Sequence, residues 1–519
     1  MNQPIPNKVS STTKEETTSI QKVSNTYIDE VVIGLCAPIG SKKEAVIQAI
    51  KNEFESKYKY EVKIIKLSDF ILKYTKSSGI QEGKTPTYSS YIDRINGGND
   101  LRSKFKDNSI LAEFATLSIN NYRNEYSGGS ETKTVDTVDL DQDKRVCYII
   151  DSLKHKDEVE LLRTIYRDVF YMFSIHSPLE ERHSTLRDKD IAPSEIEELI
   201  KVDEHQNESY GQDVRNAFIE GDFFVRASNF NLSKRLESNI QRYLNLIFDS
   251  EIVTPHPHEI AMYQAKSASN NSACLSRQVG ACITDKDFNV ISKGWNDVPK
   301  FGGNLYFEGF ERDERCKALG YCSNDLQKEA IVDDILSNIL EVEAVRNVIA
   351  NNTFLENRIK KVIKKSKLKG LIEFSRSVHA EMHAIINGSQ LSGSKMIGGK
   401  LFCTTYPCHN CARHIVVAGI EDIYYIEPYK KSLCIALHSD SMTEDENEKG
   451  KVKILIYDGV APRRFLSFFT MNRERKQNGK INTLDKSTIS PRNRIPLQAL
   501  TTLENQAINT LTSKGILND

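Results

Sequence analysis

The sequence lacks any apolar run of about 18 residues, so no transmembrane helix is expected in its 519 residues. The opening stretch MNQPIPNKVSSTTKEETTSIQKVSN has no apolar core of the kind a secretory signal carries, and a cytoplasmic location with no membrane partner follows as the expectation. Net charge is almost absent: the formal value is -1, which argues against long-range electrostatic attraction to nucleic acid while leaving local basic patches open. Cysteine is sparse. Ten are spread over the chain, and with no export signal they read as reduced thiols or metal ligands, not as a disulfide framework. There is no internal repeat. What remains is ordinary for a globular protein, 27% charged and 39% apolar, but too long for one hydrophobic core.

Two α/β domains are expected. Residues 1–26 are rich in Ser, Thr, Asn and Lys and read as a disordered tail. From Glu30, VVIGLCAPIG reads as a buried strand and a turn. SKKEAVIQAIKNEFESKY has helical spacing, and YEVKIIKLSDF reads as a second strand, which together predict a βαβ unit in a parallel sheet over residues 27–250. RVCYIID and FYMFSIHS continue the strand series, and GGSETKTVDTVDLDQD, at 128–143, reads as an acidic surface loop. TPHPHE, with two prolines, marks a boundary. A second domain is expected over 251–480, beginning with a helix and a two-strand hairpin and carrying a charged helical insertion at about 305–370. Residues 481–519 read as a weakly ordered tail.

The chemistry concentrates in SVHAEMHAI and TTYPCHNCARH. Cys408 and Cys411 stand at C-x-x-C spacing at the start of a helical run, where two thiolates can converge on one ion, although that pair alone also serves redox chemistry. H-x-E followed by P-C-x-x-C, with the proline 28 residues after the histidine, is the signature of zinc nucleoside and nucleobase deaminases. His379, Cys408 and Cys411 are the expected Zn2+ ligands. Glu381 is the expected catalytic acid–base, because the proton taken from water must be carried to the ring. A metalloprotease-like pair of His379 and His383 is disfavoured, since Ala380 separates the first histidine from the glutamate and the cysteines stay unexplained. His383, His409 and His414 read as polar helix residues. Cys316 and Cys322 could hold a second, structural zinc, but no further ligands lie beside them in sequence.

The flanks carry a resemblance. RQVGACITDKDFNVISKGWNDVP, HAEMHAI, TTYPCHNCARHIVVAGI and IYYIEPYKKSLCIALHSD resemble successive elements of deoxycytidylate deaminases over most of residues 255–470. The likeness implies a cytidine deaminase-like three-layer α/β/α fold and implies that Asn296 contacts the deoxyribose. Three positions depart from the family pattern: Trp295 for Tyr, Asp297 for Gly and His383 for Asn. Ala380 is placed among the substrate contacts, and Lys431, after the YYIEPY run, is the expected phosphate contact beside Lys430 and Ser432. Together with the N-terminal half, the layout resembles the bacterial anti-phage deoxycytidine nucleotide deaminases. That likeness implies conversion of dCTP and dCMP to dUTP and dUMP, a homo-oligomer, and inhibition by a small RNA in some relatives.

GLCAPIGSKK resembles a degraded phosphate loop. The pattern G-x-x-x-x-G-K-[ST] is broken: Ser41 follows Gly40, and Lys42 comes one position late. Gly34, Gly40, Ser41, Lys42 and Asp151 are the candidate contacts to a nucleotide (ATP, GTP or a dNTP) with Mg2+, for regulation or scaffolding in preference to ATP turnover. Two other functions compete. A polynucleotide cytidine deaminase would use RIKKVIKKSKLKG to hold single-stranded DNA or RNA, and a P-loop sensor would use its deaminase domain only to bind nucleotide.

Overall fold

The computed structural model describes residues 18–74, 86–126, 144–204, 206, 209–229, 234–349, 352–428 and 432–517. The expected acidic loop at 128–143, most of the expected N-terminal tail, and Lys430 and Lys431 lie outside them. The chain forms two compact units.

The first unit comprises residues 1–220, 227–252 and 473–519. Its centre is a parallel sheet of β1 (Glu30–Cys36), β2 (Glu61–Lys66), β3 (Val146–Asp151) and β4 (Phe170–His176), in the order β4-β1-β3-β2. Every residue of β1, β3 and β4 is buried, whereas β2 is not. Continuous apolar runs such as VVIGLC and VCYII are what a parallel strand covered on both faces requires. Helix α1 (Lys43–Glu53) follows β1 through a short turn and buries Val46 and Ile50.

Two expectations are corrected here. Ser19–Ser24 is a short helix, capped by Thr18, and Tyr27–Ile28 pairs antiparallel with Ile495–Pro496, so residues 18–26 are not an unstructured tail. Residues 473–519 belong to this unit, and Leu497–Ser513 is a helix that packs on helix Ile110–Tyr126. It buries Leu500, Glu504, Ala507 and Leu511, a period of three to four residues hidden among Thr, Asn and Gln. The fully buried carboxylate of Glu504 accepts from Arg123, which also forms a two-pronged pair with Glu30 at 2.7 and 2.9 Å. Lys514 reaches Glu113 at 2.9 Å. The chain thus returns to its first unit after completing the second.

The second unit comprises residues 221–226 and 253–472. Helix α2 (Pro257–Ser269) leads into a hairpin of β5 (Gly280–Thr284) and β6 (Val290–Trp295). Helix α3 (Ala380–Ser392), β7 (Lys400–Thr405), helix α4 (His409–Val417) and β8 (Asp422–Glu427) follow, then β9 (Met442–Thr443) and β10 (Val452–Ile456). The sheet order is β9-β10-β8-β7-β5-β6, antiparallel through the hairpin and its neighbour β7 and parallel beyond.

Two glycines fix the layers. A Cβ on Gly280 would lie 1.9 Å from Ala265 O of α2, and one on Gly294 would lie 2.3 Å from Ala380 O of α3. Gly294 pairs with Ala281, the strand neighbour of Gly280, so the two glycines face opposite sides of the sheet. Helix α2 therefore covers one face and α3 the other, giving the three-layer α/β/α arrangement. The insertion is helical, as its charge pattern suggests: Ser323–Glu341, Glu343–Ile349 and Thr353–Lys365, with ion pairs Lys360–Asp333 at 3.0 Å and Lys364–Glu329 at 2.5 Å. Among the described residues no helix is long and apolar enough to cross a membrane.

Candidate metal and catalytic site

His379 is the N-cap of α3 and Cys408 the N-cap of α4; Cys411 lies in the first turn of α4. Both helices start directly after extended segments, so His379 meets the Cys408–Cys411 pair, about 30 residues on, at two adjacent helix N-termini. His379 Nδ1 lies 3.3 Å from Cys408 Sγ and 3.3 Å from Cys411 Sγ. All three donor atoms fall within 4.8 Å of one another, and no other group of three or more His, Cys, Asp or Glu donors does so among the described residues. Cys316 and Cys322 are not part of such a cluster.

The donors fit zinc. Bonds of about 2.0 Å to nitrogen and about 2.3 Å to sulfur in a tetrahedron place ligand atoms roughly 3.6 Å apart, and one nitrogen with two sulfurs leaves a fourth position for water. The side chains already favour separated charge. A hydrogen bond from Cys411 holds the Cys408 thiol down at about 4, against the opposing effect of burial. Burial pulls the His379 imidazolium down, but its hydrogen bond to Cys408 and the charge of Glu381 outweigh that and raise it to about 9. Glu381, second residue of α3, is 4% exposed; burial and then the Cys408 charge push its carboxyl up to about 6. A buried carboxyl group with a raised pKa beside a set of metal donors can carry a proton.

The other expected residues are placed as follows. Asn296 is buried, its Oδ1 accepting from Val279 N–H at 2.8 Å and its Nδ2 donating to Arg277 O at 2.9 Å. Ala380 is the first residue of α3 and fully buried. Lys431 lies outside the described residues, while Ser432 donates to Pro407 O at 2.7 Å, one residue before the candidate metal donor Cys408. His414 bonds Asn410 O of its own helix, and His409 Nε2 lies 3.6 Å from Glu373. His383 was set aside from sequence as a polar helix residue, yet it is 3% exposed and bonded through both ring nitrogens.

In the first unit the loop differs from its sequence count. Gly34 lies inside β1, where a Cβ would sit 2.6 Å from Leu153 Cδ1, so it is a packing glycine and the turn runs from Ala37 to Lys42. Gly40, at φ +80°, supplies the left-handed residue of that turn. Counted from Ala37, the lysine of the phosphate-loop pattern is Lys43, the first residue of α1, and Lys42 stands where the pattern has its second glycine. Lys43 Nζ bonds both oxygens of Asp151 at 2.8 Å and Ser152 Oγ at 2.8 Å. Lys42 is engaged elsewhere, by Asn229 and by Glu181 at 3.0 Å. Sequence reasoning missed Lys43 because it placed the lysine relative to Gly40 and settled on Lys42. It also missed Asp203, a buried carboxylate that accepts from Ile39 N–H at 2.7 Å and from Lys154 at 2.8 Å.

One imidazole, two cysteine sulfurs and a buried glutamate at paired helix N-termini are the donor set of a metal-dependent hydrolase. The profile of the cytidine and deoxycytidylate deaminase zinc-binding region matches residues 255–427. The ComE operon protein 2 of Bacillus subtilis (strain 168) is 43% identical over 56 residues, 11% of this chain and 29% of that protein. The deoxycytidylate deaminase of Enterobacteria phage T4 is 30% identical over 165 residues, 32% of this chain and 74% of that one. The crystal structure of dCMP deaminase from the cyanophage S-TIM5 in apo form matches with TM-score 0.22 and 19% identity, covering 40% of this chain and 100% of that chain. The chain belongs to the deoxycytidylate deaminase family, zinc-dependent hydrolytic deaminases of cytidine nucleotides.

Proposed function

We propose that this protein hydrolyses the exocyclic amine of deoxycytidine nucleotides, converting dCMP and dCTP to dUMP and dUTP. The observation that carries the reading is the convergence of His379, Cys408 and Cys411 beside the buried carboxylate of Glu381. His379, Cys408 and Cys411 would hold zinc, which would supply a hydroxide-like nucleophile near neutral pH by lowering the pKa of water. Glu381 accepts the proton of the attacking water, delivers it to ring N3, and carries the second proton to the departing ammonia. The balance is cytosine plus water to uracil plus ammonia. Asn296 braces the strand exit beside the site, and Lys431 with Ser432 is the segment assigned to the phosphate.

The resemblance across the chain supports an anti-phage role in which dCTP is depleted, with a cytoplasmic homo-oligomer and a small inhibitory RNA as its setting. The first unit is assigned to binding a nucleotide phosphate without turnover. Support comes from the turn before α1: Lys43 holds the lysine position against Asp151, but Glu44 replaces the hydroxyl that would meet Mg2+. The Ser41 hydroxyl and Nη2 of Arg182 are buried there, and neither has a hydrogen-bond partner among the described residues. Calorimetric titration with dNTPs and ATP tests this, with Lys43→Ala expected to weaken binding and to leave zinc content unchanged. Equal binding by both proteins would make the unit a scaffold. For the deaminase, a panel of cytosine nucleotides, nucleoside and single-stranded DNA read by mass spectrometry decides between mononucleotide and polynucleotide substrates.

A further inference from the structure

We propose that His383 is a positioning residue for the deaminase: it clamps the segment Trp295–Asn304 to the catalytic helix and so sets the wall beside the metal site. The inference rests on the deaminase reading above and goes beyond it by assigning a role to a histidine that neither binds metal nor touches the reacting atoms.

The geometry fixes the tautomer. Trp295 N–H is a donor and lies 3.2 Å from His383 Nδ1, so that nitrogen carries the lone pair. The proton is then on Nε2, which donates to Asn304 Oδ1 at 3.0 Å. That oxygen also accepts from Leu305 N–H at 2.8 Å, which orients the amide. The indole of Trp295 meets the imidazole edge-on, with centroids 4.7 Å apart at 82°. One buried ring thereby joins the end of β6 to a residue nine positions later.

Between those contacts the chain makes a small hairpin. Pro299 bridges Leu305, Lys300 N–H bonds Asn304 O at 3.1 Å, and Tyr306 N–H bonds Val298 O at 3.0 Å. Gly302, Gly303 and Asn304 all have positive φ, and Phe301 at the tip is fully exposed. Such a tip has little packing of its own. Its base matters more: Val378 N–H bonds Asp297 O at 2.9 Å, and Val378 immediately precedes the metal donor His379. His383 lies one helical turn beyond His379 on α3. The hairpin base is therefore held to the catalytic helix at two points, Val378 and His383. Only the second is a side chain with both a donor and an acceptor.

Loss of the clamp loosens the wall without touching zinc or Glu381, so it should act on substrate binding before chemistry. The test is steady-state kinetics with dCMP on zinc-loaded protein, with zinc content and the emission of Trp295, the single tryptophan, measured in the same samples. His383→Ala should keep its zinc, raise KM about tenfold, the scale of a lost hydrogen-bond pair, lower kcat much less, and red-shift the emission. His383→Asn, which retains an acceptor for Trp295 N–H, and His383→Gln, which retains a donor for Asn304, should each recover part of the KM. Asn304→Ala, on the exposed side of the clamp, should raise KM in the same direction and serves if His383→Ala fails to fold. Unchanged KM in a folded, zinc-loaded His383→Ala, or a fall in kcat at constant KM, would overturn the proposal. If the unaltered protein leaves dCMP intact, the proposed function fails instead, and the clamp is then judged on Trp295 emission, where an unchanged spectrum in His383→Ala refutes it.

Discussion

Replacing Glu381 by glutamine keeps the size and hydrogen-bonding capacity of the side chain and removes its ability to carry a proton. A general acid–base group contributes about 10²–10⁴ in rate. Two considerations place this one at the upper end. In the proposed mechanism Glu381 serves in succession as acceptor from water and donor to the ring and to the amine. The neighbouring groups also offer no substitute: His383 is committed at both nitrogens, and the Cys403 thiol is pushed well above its usual range by burial and then by Glu381 itself. A loss of about 10⁴ in kcat is expected, equivalent to roughly 5.4 kcal/mol of transition-state stabilisation at about 1.36 kcal/mol per decade. The assay is ammonia release from dCMP under single-turnover conditions, with zinc measured by mass spectrometry on the same protein. Zinc retained with rate lost is the expected pair of results. Activity within tenfold of the unaltered enzyme, in protein that holds its zinc, would remove Glu381 from the mechanism.

Removing the thiolates tests the metal assignment: Cys408→Ala combined with Cys411→Ala should lose the single zinc per chain, and metal analysis showing zinc still bound would contradict it. Gly294→Ala sets a methyl 2.3 Å from Ala380 O and 2.4 Å from Ala384 N of the catalytic helix. It is expected to cost about 1–3 kcal/mol and to lower activity by displacing α3, and an unperturbed melting curve would refute that close approach. Arg123→Met leaves the buried carboxylates of Glu30 and Glu504 without their shared cation. About 3–5 kcal/mol of destabilisation is expected, seen by hydrogen exchange as faster opening of helix Leu497–Ser513; unchanged protection would mean that the helix is held by its apolar face alone.

Much of the candidate site was legible because its determinants are local. C-x-x-C at a helix start and H-x-E at another are short spacings that survive without any knowledge of the fold, and the strands VVIGLC and VCYIID announce their burial by continuous apolar character. What could not be read depends on contacts far apart in sequence. His383 gains its role from Asn304, 79 residues away, and Glu504 gains its burial from Arg123, 381 residues away. The C-terminal helix has too few strongly apolar residues to declare itself without that partner. Gly34 misled for another reason. A glycine between Ile33 and Leu35 looks like punctuation, whereas its task is to let Leu153 and Phe170 approach the middle of a strand. With the turn starting at Ala37, Lys43 falls in the lysine position of the loop pattern.

The central claim is that His379, Cys408, Cys411 and Glu381 form a hydrolytic deaminase centre acting on deoxycytidine nucleotides. The most direct measurement incubates zinc-loaded protein with dCMP and dCTP in water enriched in ¹⁸O and analyses the nucleotides by mass spectrometry. The account predicts deoxyuridine nucleotides carrying one ¹⁸O at the ring carbon that lost the amine, with matching release of ammonia and no product from Glu381→Gln. Intact dCMP and dCTP after prolonged incubation of folded, zinc-loaded protein, or product that lacks solvent oxygen, would contradict it.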